Sequence, residues 1–184
     1  MHFTCCLDED PVLEELERNQ QWKETIVYCI EKYDRNNCEA NLLRLITQAW
    51  YLCSFIEQLP PYNRNPLLID INFSDLCKII QETTARGADI YDEDPIFLCM
   101  TGYMMSTIPE WFVNQRKNYN DCKNQGKANL RKAKILNPKL CALFDVASKR
   151  EGSEIEACTL FPGNSEVDVY FKSVITGDDL FGAD

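Results

Sequence analysis

The sequence contains a single histidine, His2, in 184 residues. Most nucleophilic and general-base schemes require an imidazole in a structured site, and a residue so near the terminus is a poor candidate. The sequence also has neither a G-x-S-x-G nucleophile elbow nor a glycine-rich phosphate loop. We therefore expect a non-enzymatic protein. A carboxylate-dependent enzyme stays open as an alternative, because the chain has 29 Asp and Glu residues.

Metal-binding and secretory patterns are missing as well. The ten cysteines include no Cys-x-x-Cys pair, and the opening "MHFTCCLDEDP" is not a basic-then-apolar leader. The acidic "ADIYDEDP" has no turn glycine or distal Glu of a calcium loop. No apolar run approaches the roughly 20 residues that span a bilayer. We expect a reduced, cytoplasmic protein with no cofactor, no metal and no membrane partner.

The composition is that of one folded domain, with 45% hydrophobic and 26% charged residues. A chain of this length buries enough surface to be stable without a metal or a disulfide. Neither of its two long connections, 59–73 and 150–166, has the Gly or Ser run of a flexible linker. We expect a single domain over 1–184, with 151–184 as a C-terminal loop and short helix appended to it.

Helical periodicity extends along the whole chain. The segment from Asn41 to Leu59 repeats apolar residues at i, i+3, i+4 and i+7, with an arc broad enough to be buried on most sides. Three Asx-Pro pairs, at Asp10, Asp94 and Asn137, are typical helix starts. The pattern predicts an all-α fold with helices over 10–19, 21–34, 39–58, 74–86, 94–106, 109–119, 123–136, 138–149 and 165–175.

Parts of this pattern resemble tetratricopeptide-like helical repeats. "NQQWKETIVYCIEKY" is similar to a second repeat helix that begins with Trp22, and "DPIFLCMTGYMMS" to a first helix with Gly102. "LRKAKILNP" resembles a repeat end, with Ala133 and Pro138 five residues apart. The resemblance implies antiparallel helix hairpins stacked as a short superhelix, and protein binding in a concave groove. It also requires an extra helix, "PEWFVNQRKNY", and an irregular helical bundle is the other architecture considered.

Charge is segregated along the chain. Residues 1–115 hold 8 basic and 19 acidic residues, 116–150 hold 10 and 2, and 151–184 hold 1 and 8, for a net charge of −10. In the basic part, Lys123, Lys127, Arg131 and Lys134 fall within about 80° of a helix. This basic stripe is a solvated helix face, a contact for an acidic patch on a partner, or a nucleic-acid grip. Nucleic acid is disfavoured by the two acidic regions.

Recognition of another protein is the function that the sequence favours. Candidate contacts are the acidic residues at the start of the predicted helix 94–106, one aromatic residue of the segment that also carries Arg116 and Lys117, and the basic stripe. They are Asp89, Asp92, Glu93, Asp94, Trp111, Lys123, Lys127, Arg131 and Lys134. In size and acidity the chain resembles bacterial immunity proteins, which implies a basic toxin, such as a nuclease, as the partner. Capping for the acidic residues and core packing for Trp111 are the alternative roles.

Overall fold

The structure, a computed structural model, describes residues 9–58, 71–143 and 160–176. These residues fold into α-helices joined by short connections, and they contain one isolated bridge but no named strand. The helices are α1 (Pro11–Arg18), α2 (Trp22–Arg35), α3 (Glu39–Gln58), α4 (Phe73–Ile90), α5 (Pro95–Thr107), α6 (Tyr119–Leu136), α7 (Pro138–Leu143) and α8 (Glu166–Thr176), with a 3-10 helix at Pro109–Phe112. The predicted all-α fold is confirmed.

The predicted helix starts rest on side-chain caps. The Asp10 carboxylate accepts the N–H of Leu13 at 3.2 Å, and Asn137 accepts the N–H of Leu140 at 3.1 Å. Each cap satisfies a backbone donor that the first helical turn leaves without a partner. The second half of the predicted helix 138–149 lies outside the described residues.

The helix predicted over 109–119 is wrong. Only Pro109–Phe112 is helical, as one 3-10 turn, and a tight turn closed by Asn114 and Lys117 follows it. Helix α6 starts at Tyr119, four residues before its predicted start, because Asn118 and Asp121 form a capping box there. That Asn-x-x-Asp pattern is a helix-start signal in its own right.

Helices α5 and α6 pack most closely, through two glycines. A Cβ at Gly102 would lie 2.9 Å from Leu130 Cγ, and one at Gly126 would lie 2.8 Å from the backbone nitrogen of Ser106. No larger residue fits at either position without moving a helix. The contacts of 102 with 126 and 130, and of 126 with 106, show that the two helices are antiparallel. Gly102 thus permits the close approach of α6 to α5.

The core centres on Trp50 of α3, which is 1% exposed. Its ring lies 5.4 Å from that of Trp111 in an edge-to-face arrangement, 5.6 Å from Tyr170 and 6.0 Å from Phe171. Aromatic pairs of this kind contribute about 0.5–1.5 kcal/mol each beyond their buried area. Because Tyr170 and Phe171 come from α8, residues 160–176 share the core of α3.

A buried ion pair also holds the C-terminal segment. Arg44 of α3 and Asp168 of α8 are 4% and 1% exposed, and Arg44 Nη2 lies 3.0 Å from Asp168 Oδ1. Ser165 accepts a hydrogen bond from Arg44 at 3.2 Å and donates one to Asp168 at 2.7 Å. Breaking such a pair on one side costs about 3–5 kcal/mol, because the other charge is left buried.

Two glutamates of α1 complete this polar cluster. Glu17 accepts the backbone N–H of Glu166, and Glu14 accepts that of Asn164 at 2.8 Å. Burial raises the pKa of Glu17 to about 7, although the hydrogen bond from Glu166, the Gln48 side chain and the charge of Arg44 all act in the opposite direction. At neutral pH a large fraction of Glu17 is therefore protonated.

Six cysteines of the described residues are free thiols: Cys29, Cys38, Cys53, Cys77, Cys99 and Cys122. Cys29, Cys53, Cys99 and Cys122 are buried, and burial raises the pKa of Cys29 to about 12. A thiol with so high a pKa packs as a small apolar side chain and is chemically inert. Over the described ranges, no helix combines the length and the apolar character that a bilayer crossing requires.

Candidate binding groove

A groove of about 710 Å³ opens between α4 and α6, above α5. This volume lies within the roughly 300–1,000 Å³ that is usual for ligand pockets. Its lining includes Lys78, Gln81, Glu82, Ala85 and Ala88 on the α4 side, Gln125 and Asn129 on α6, and Phe97, Met105 and Phe112 beneath them. The lining is therefore apolar at the bottom and polar at the rim.

The bottom of the groove is rigid because its side chains belong to the core. Phe97, Met105 and Phe112 are 1%, 3% and 3% exposed. Phe97 fits against Gly87 of α4, where a Cβ would overlap its ring. The apolar surface that a ligand can reach is mainly that of the exposed Ala85 and Ala88, which this core holds in place. A preformed surface lowers the entropic cost of binding.

The first end of the groove, called the turn end, is the tight turn 114–117. Gln81 of α4 donates from its amide to the carbonyls of Trp111 at 3.1 Å and Val113 at 2.8 Å. The Asn114 side chain accepts the N–H groups of Arg116 at 2.9 Å and Lys117 at 3.1 Å. These bonds use backbone groups that a continued helix would pair internally. They also hold two exposed cations at this end.

The second end, called the acidic end, is crossed by an ion pair. Lys132 Nζ of α6 lies 3.3 Å from Asp92 Oδ2, with side chains 43% and 65% exposed. An exposed pair contributes about 0–1 kcal/mol, so a ligand can displace it at little cost. Because Gln81 bonds to the turn before α6, and Asp92 after α4 bonds near the end of α6, the two helices run in the same direction.

The acidic candidate residues differ in how far they are exposed to solvent. Asp89 is exposed on α4, one residue after the groove-lining Ala88, and Glu93 is exposed in the following connection. Asp94 is half-buried, and its Oδ1 accepts the N–H groups of Ile96 at 2.7 Å and Phe97 at 3.0 Å. Asp94 therefore caps α5, while Asp89, Asp92 and Glu93 present carboxylates to solvent.

Asp94 also forms a carboxyl pair with Glu39 of α3. Burial, together with the hydrogen bond and the negative charge of Asp94, raises the pKa of Glu39 to about 8. Two carboxyl groups in contact do not both ionise readily, so this pair retains one proton at neutral pH. The pair thus adds less negative charge to the acidic end than its two carboxyl groups would suggest.

Trp111 is a core residue and not a surface contact. It is 2% exposed, and its ring packs edge-to-face on Trp50 at 5.4 Å and on Phe73 at 6.1 Å. A partner cannot reach this indole in the folded protein. The spacing of Trp111 in the chain fits this core role, which was the alternative considered from the sequence.

The basic stripe lies away from the groove. Lys127, Arg131 and Lys134 are exposed, while Lys123 is half-buried with its ammonium 5.6 Å from the centre of the Tyr119 ring. At 100° per residue the stripe is centred roughly 165° from the direction of Gln125, Asn129 and Lys132, which lie on the groove side of α6. One ligand in the groove cannot contact both faces of α6.

Several groove residues are absent from the candidates derived from the sequence. Gln81, Gln125 and Asn129 are polar residues on helices, a pattern that in a sequence indicates ordinary solvent exposure. Asn129 is nevertheless only 9% exposed, and its amide donates to Thr101 Oγ1 at 3.2 Å. The "NQRK" turn, with an Asn that can accept from the backbone two and three residues further on, was the available signal.

The comparisons with known proteins identify no relative. No family model matches the chain, and no curated protein or solved structure is significantly similar to it. Within 9–58, 71–143 and 160–176, no three His, Cys, Asp or Glu side chains come together as a metal site would require.

Proposed function

We propose that this chain is a non-catalytic protein-binding module that holds a segment of a basic partner in the groove between α4 and α6. The observation that carries this proposal is a preformed groove with apolar residues beneath it, followed beyond Ala88 by the exposed carboxylates of Asp89, Asp92 and Glu93. Such a surface supplies the apolar centre and polar rim of a protein interface. The basic stripe then serves as a solvated helix face.

The side chains in the groove support binding over catalysis. Among the described residues that line it, Glu82 is the one carboxylate, and histidine and cysteine are absent. Acid–base catalysis by carboxyl groups uses two of them with separated pKa values. Amide, lysine and arginine side chains, which make up most of the rim, are suited to hydrogen bonding and charge recognition.

Charge supports a basic partner. The chain carries −10 overall, and its sequence pI is near 4.7. A field of this sign raises the encounter rate with a positively charged protein and slows it with an acidic one. Asp89, Asp92 and Glu93 then orient the encounter at one end of the groove.

A concrete form of this proposal is an immunity protein that neutralises a basic bacterial toxin. Its support is the small size and acidity of the chain, which suit a cationic nuclease as partner. The reading frame next to the gene should then encode a large secreted protein with a toxic C-terminal domain. A neighbour of ordinary metabolic type would remove the toxin form and leave the binding module intact.

Copurification from the native host tests the module directly. We expect a partner to be retained by the wild-type chain and lost with Ala88→Arg, which places a long cation in the groove. Ala128→Arg is the matched control, because Ala128 is exposed on α6 and does not line the groove. A partner retained equally by all three chains would show that the groove is not its binding site.

The charge proposal is tested on the association rate. Replacing Asp89, Asp92 and Glu93 together by Lys should slow association more than it speeds dissociation, and the effect should shrink with added salt. Replacing Lys127 and Arg131 by Glu should change the rate little or raise it slightly. A loss confined to the second variant would move the interface to the basic stripe and contradict the proposal.

A further inference from the structure

The two ends of the groove differ in charge. Among the residues that line the groove, Lys78, Arg116 and Lys117 lie at the turn end with the single carboxylate of Glu82, and Lys78 is 3.9 Å from Glu82. Beyond the lining, the exposed Asp89, Asp92 and Glu93 follow Ala88 at the acidic end, where Lys132 pairs with Asp92. The lining of the turn end is therefore net positive, and the exposed groups that follow the lining at the acidic end are net negative. An occupant that spans the groove meets opposite fields at its two ends.

The walls of the groove favour a helical occupant over a strand. Both walls are helices, α4 and α6, whose backbone groups are paired within each helix. They offer no free edge to which an extended segment could add as a strand. An extended chain would also place unpaired N–H and C=O groups against the apolar side chains of Ala85 and Ala88, and each such group costs free energy. A helix satisfies its own backbone and needs only side-chain contacts.

The size of the groove sets the length and the buried face of that helix. From Lys78 to Ala88 is ten residues of α4, or about 15 Å at 1.5 Å per residue. A ten-residue helix about 10 Å across occupies roughly 1,200 Å³, whereas the groove offers about 710 Å³. About half of the helix therefore fits, which corresponds to one face with apolar residues at i, i+3, i+4 and i+7.

The direction of the helix follows from its dipole and from the charge at each end. A helix N-terminus carries partial positive charge and is stabilised by carboxylates, while the C-terminus is stabilised by cations. The N-terminus therefore belongs at Asp89, Asp92 and Glu93, and the C-terminus at Arg116 and Lys117. This orientation is antiparallel to both α4 and α6, which run from the turn end to the acidic end.

Resting on the proposed function, we propose that the occupant is an amphipathic helix of the partner protein, about ten residues long in the groove and antiparallel to α4 and α6. Its first turn carries Lys or Arg, its last turn carries Asp or Glu, and its apolar face contacts Ala85 and Ala88. The partner supplies the rest of its basic surface outside the groove.

A phage-displayed library of random 16-residue peptides tests this inference without knowledge of the partner. The library is selected on the intact wild-type chain alone, and the selected clones are then tested on Ala88→Arg, with Ala128→Arg as the control that should retain every selected clone. We expect the selected peptides to share helical apolar spacing, Lys or Arg in the first half and Asp or Glu in the second. For the best peptide, Ala88→Arg and reversal of its charge order should each weaken binding about tenfold.

A change of charge in the protein then tests the proposed direction of the bound helix. Replacing Asp89 and Glu93 by Lys should remove the preference for basic first halves, while Asp34→Lys, an exposed change on α2, should not. Selected peptides with proline-rich or strand-like spacing, with random charge order, or with no sensitivity to Ala88→Arg would each overturn the inference. A native partner that still depends on Ala88 in copurification would show that the proposed function survives that result.

Discussion

Glu17→Gln should remove a large part of the pH dependence of stability at neutral pH. Glu17 is 2% exposed beside the buried Gln48, and burial raises its pKa to about 7 from an ordinary value of 4.5. The folded state therefore binds this proton more tightly than the unfolded state does. The contribution of Glu17 to stability is therefore greatest below pH 4.5 and is lost as the pH rises through about 7.

The size of this effect follows from the two pKa values. A pKa near 7 in place of 4.5 corresponds to about 3 kcal/mol, at about 1.4 kcal/mol per pH unit. The free energy of unfolding of the wild-type chain should thus decrease by about that amount, relative to Glu17→Gln, between pH 4.5 and pH 7.5. The glutamine keeps a carbonyl oxygen that can accept the Glu166 N–H and carries no charge.

Urea unfolding followed by tryptophan fluorescence at six pH values from 4.5 to 7.5 measures this difference. Comparison of the two proteins at each pH cancels the titration of every other group, including Glu39. Glu15→Gln, an exposed change on the same helix, is the control and should leave the curve unaltered. A constant difference between wild type and Glu17→Gln across the range would refute the idea that burial of the charge dominates at this site.

Three further changes probe other contacts. Asp10→Asn should lower the free energy of unfolding by about 1–2 kcal/mol at pH 7, because Asp10 accepts from Lys32 at 2.6 Å. Its pKa is lowered by bonds from Lys32 and Leu13 that outweigh burial, so in urea titrations the difference should vanish as the pH falls below the folded-state pKa. Gly126→Ala should destabilise the protein by about 1–2 kcal/mol and so lower its melting temperature, because the added Cβ would lie 2.8 Å from the Ser106 nitrogen. An unchanged melting temperature would show that α5 and α6 move apart at no cost. Gln81→Leu should lower the free energy of unfolding by about 1–2 kcal/mol and speed amide hydrogen exchange in the turn 114–117, because two carbonyls lose their donor. Unchanged exchange would show that Gln81 does not hold the turn.

The helices were predictable because their signals are local. Periodic apolar spacing and the Asx-Pro caps indicated α1, α3 and α5 with starts within one residue of those observed. The helix predicted over 109–119 was wrong in part for a non-local reason. Gln81, about thirty residues earlier in the chain, donates hydrogen bonds to the carbonyls of Trp111 and Val113. Periodicity within a segment cannot reveal a competing donor on another helix.

The groove could be predicted only in part. Asp89, Asp92 and Glu93 were recognisable as candidates because charge density before a helix is visible in the sequence. Their relation to Arg116 was not, because it depends on α4 and α6 running side by side, which no residue spacing within either helix encodes. Tertiary packing also separated the basic stripe from the groove by placing them on opposite sides of α6.

The groove and the aromatic core around Trp50 lie on opposite faces of α5. Phe97 and Met105 lie beneath the groove, whereas Tyr103, about 200° around the helix from the midpoint of those two residues, packs on Trp50 with ring centres 6.2 Å apart. The polar cluster around Glu17 and Asp168 lies on the same side as Trp50, because Asp168 is on α8, whose aromatic residues pack on Trp50. Changes at Glu17 and at Ala88 share no described contact, so their free energies should add. A loss of partner binding in Ala88→Arg with an unchanged pH profile of stability would therefore report on the groove alone.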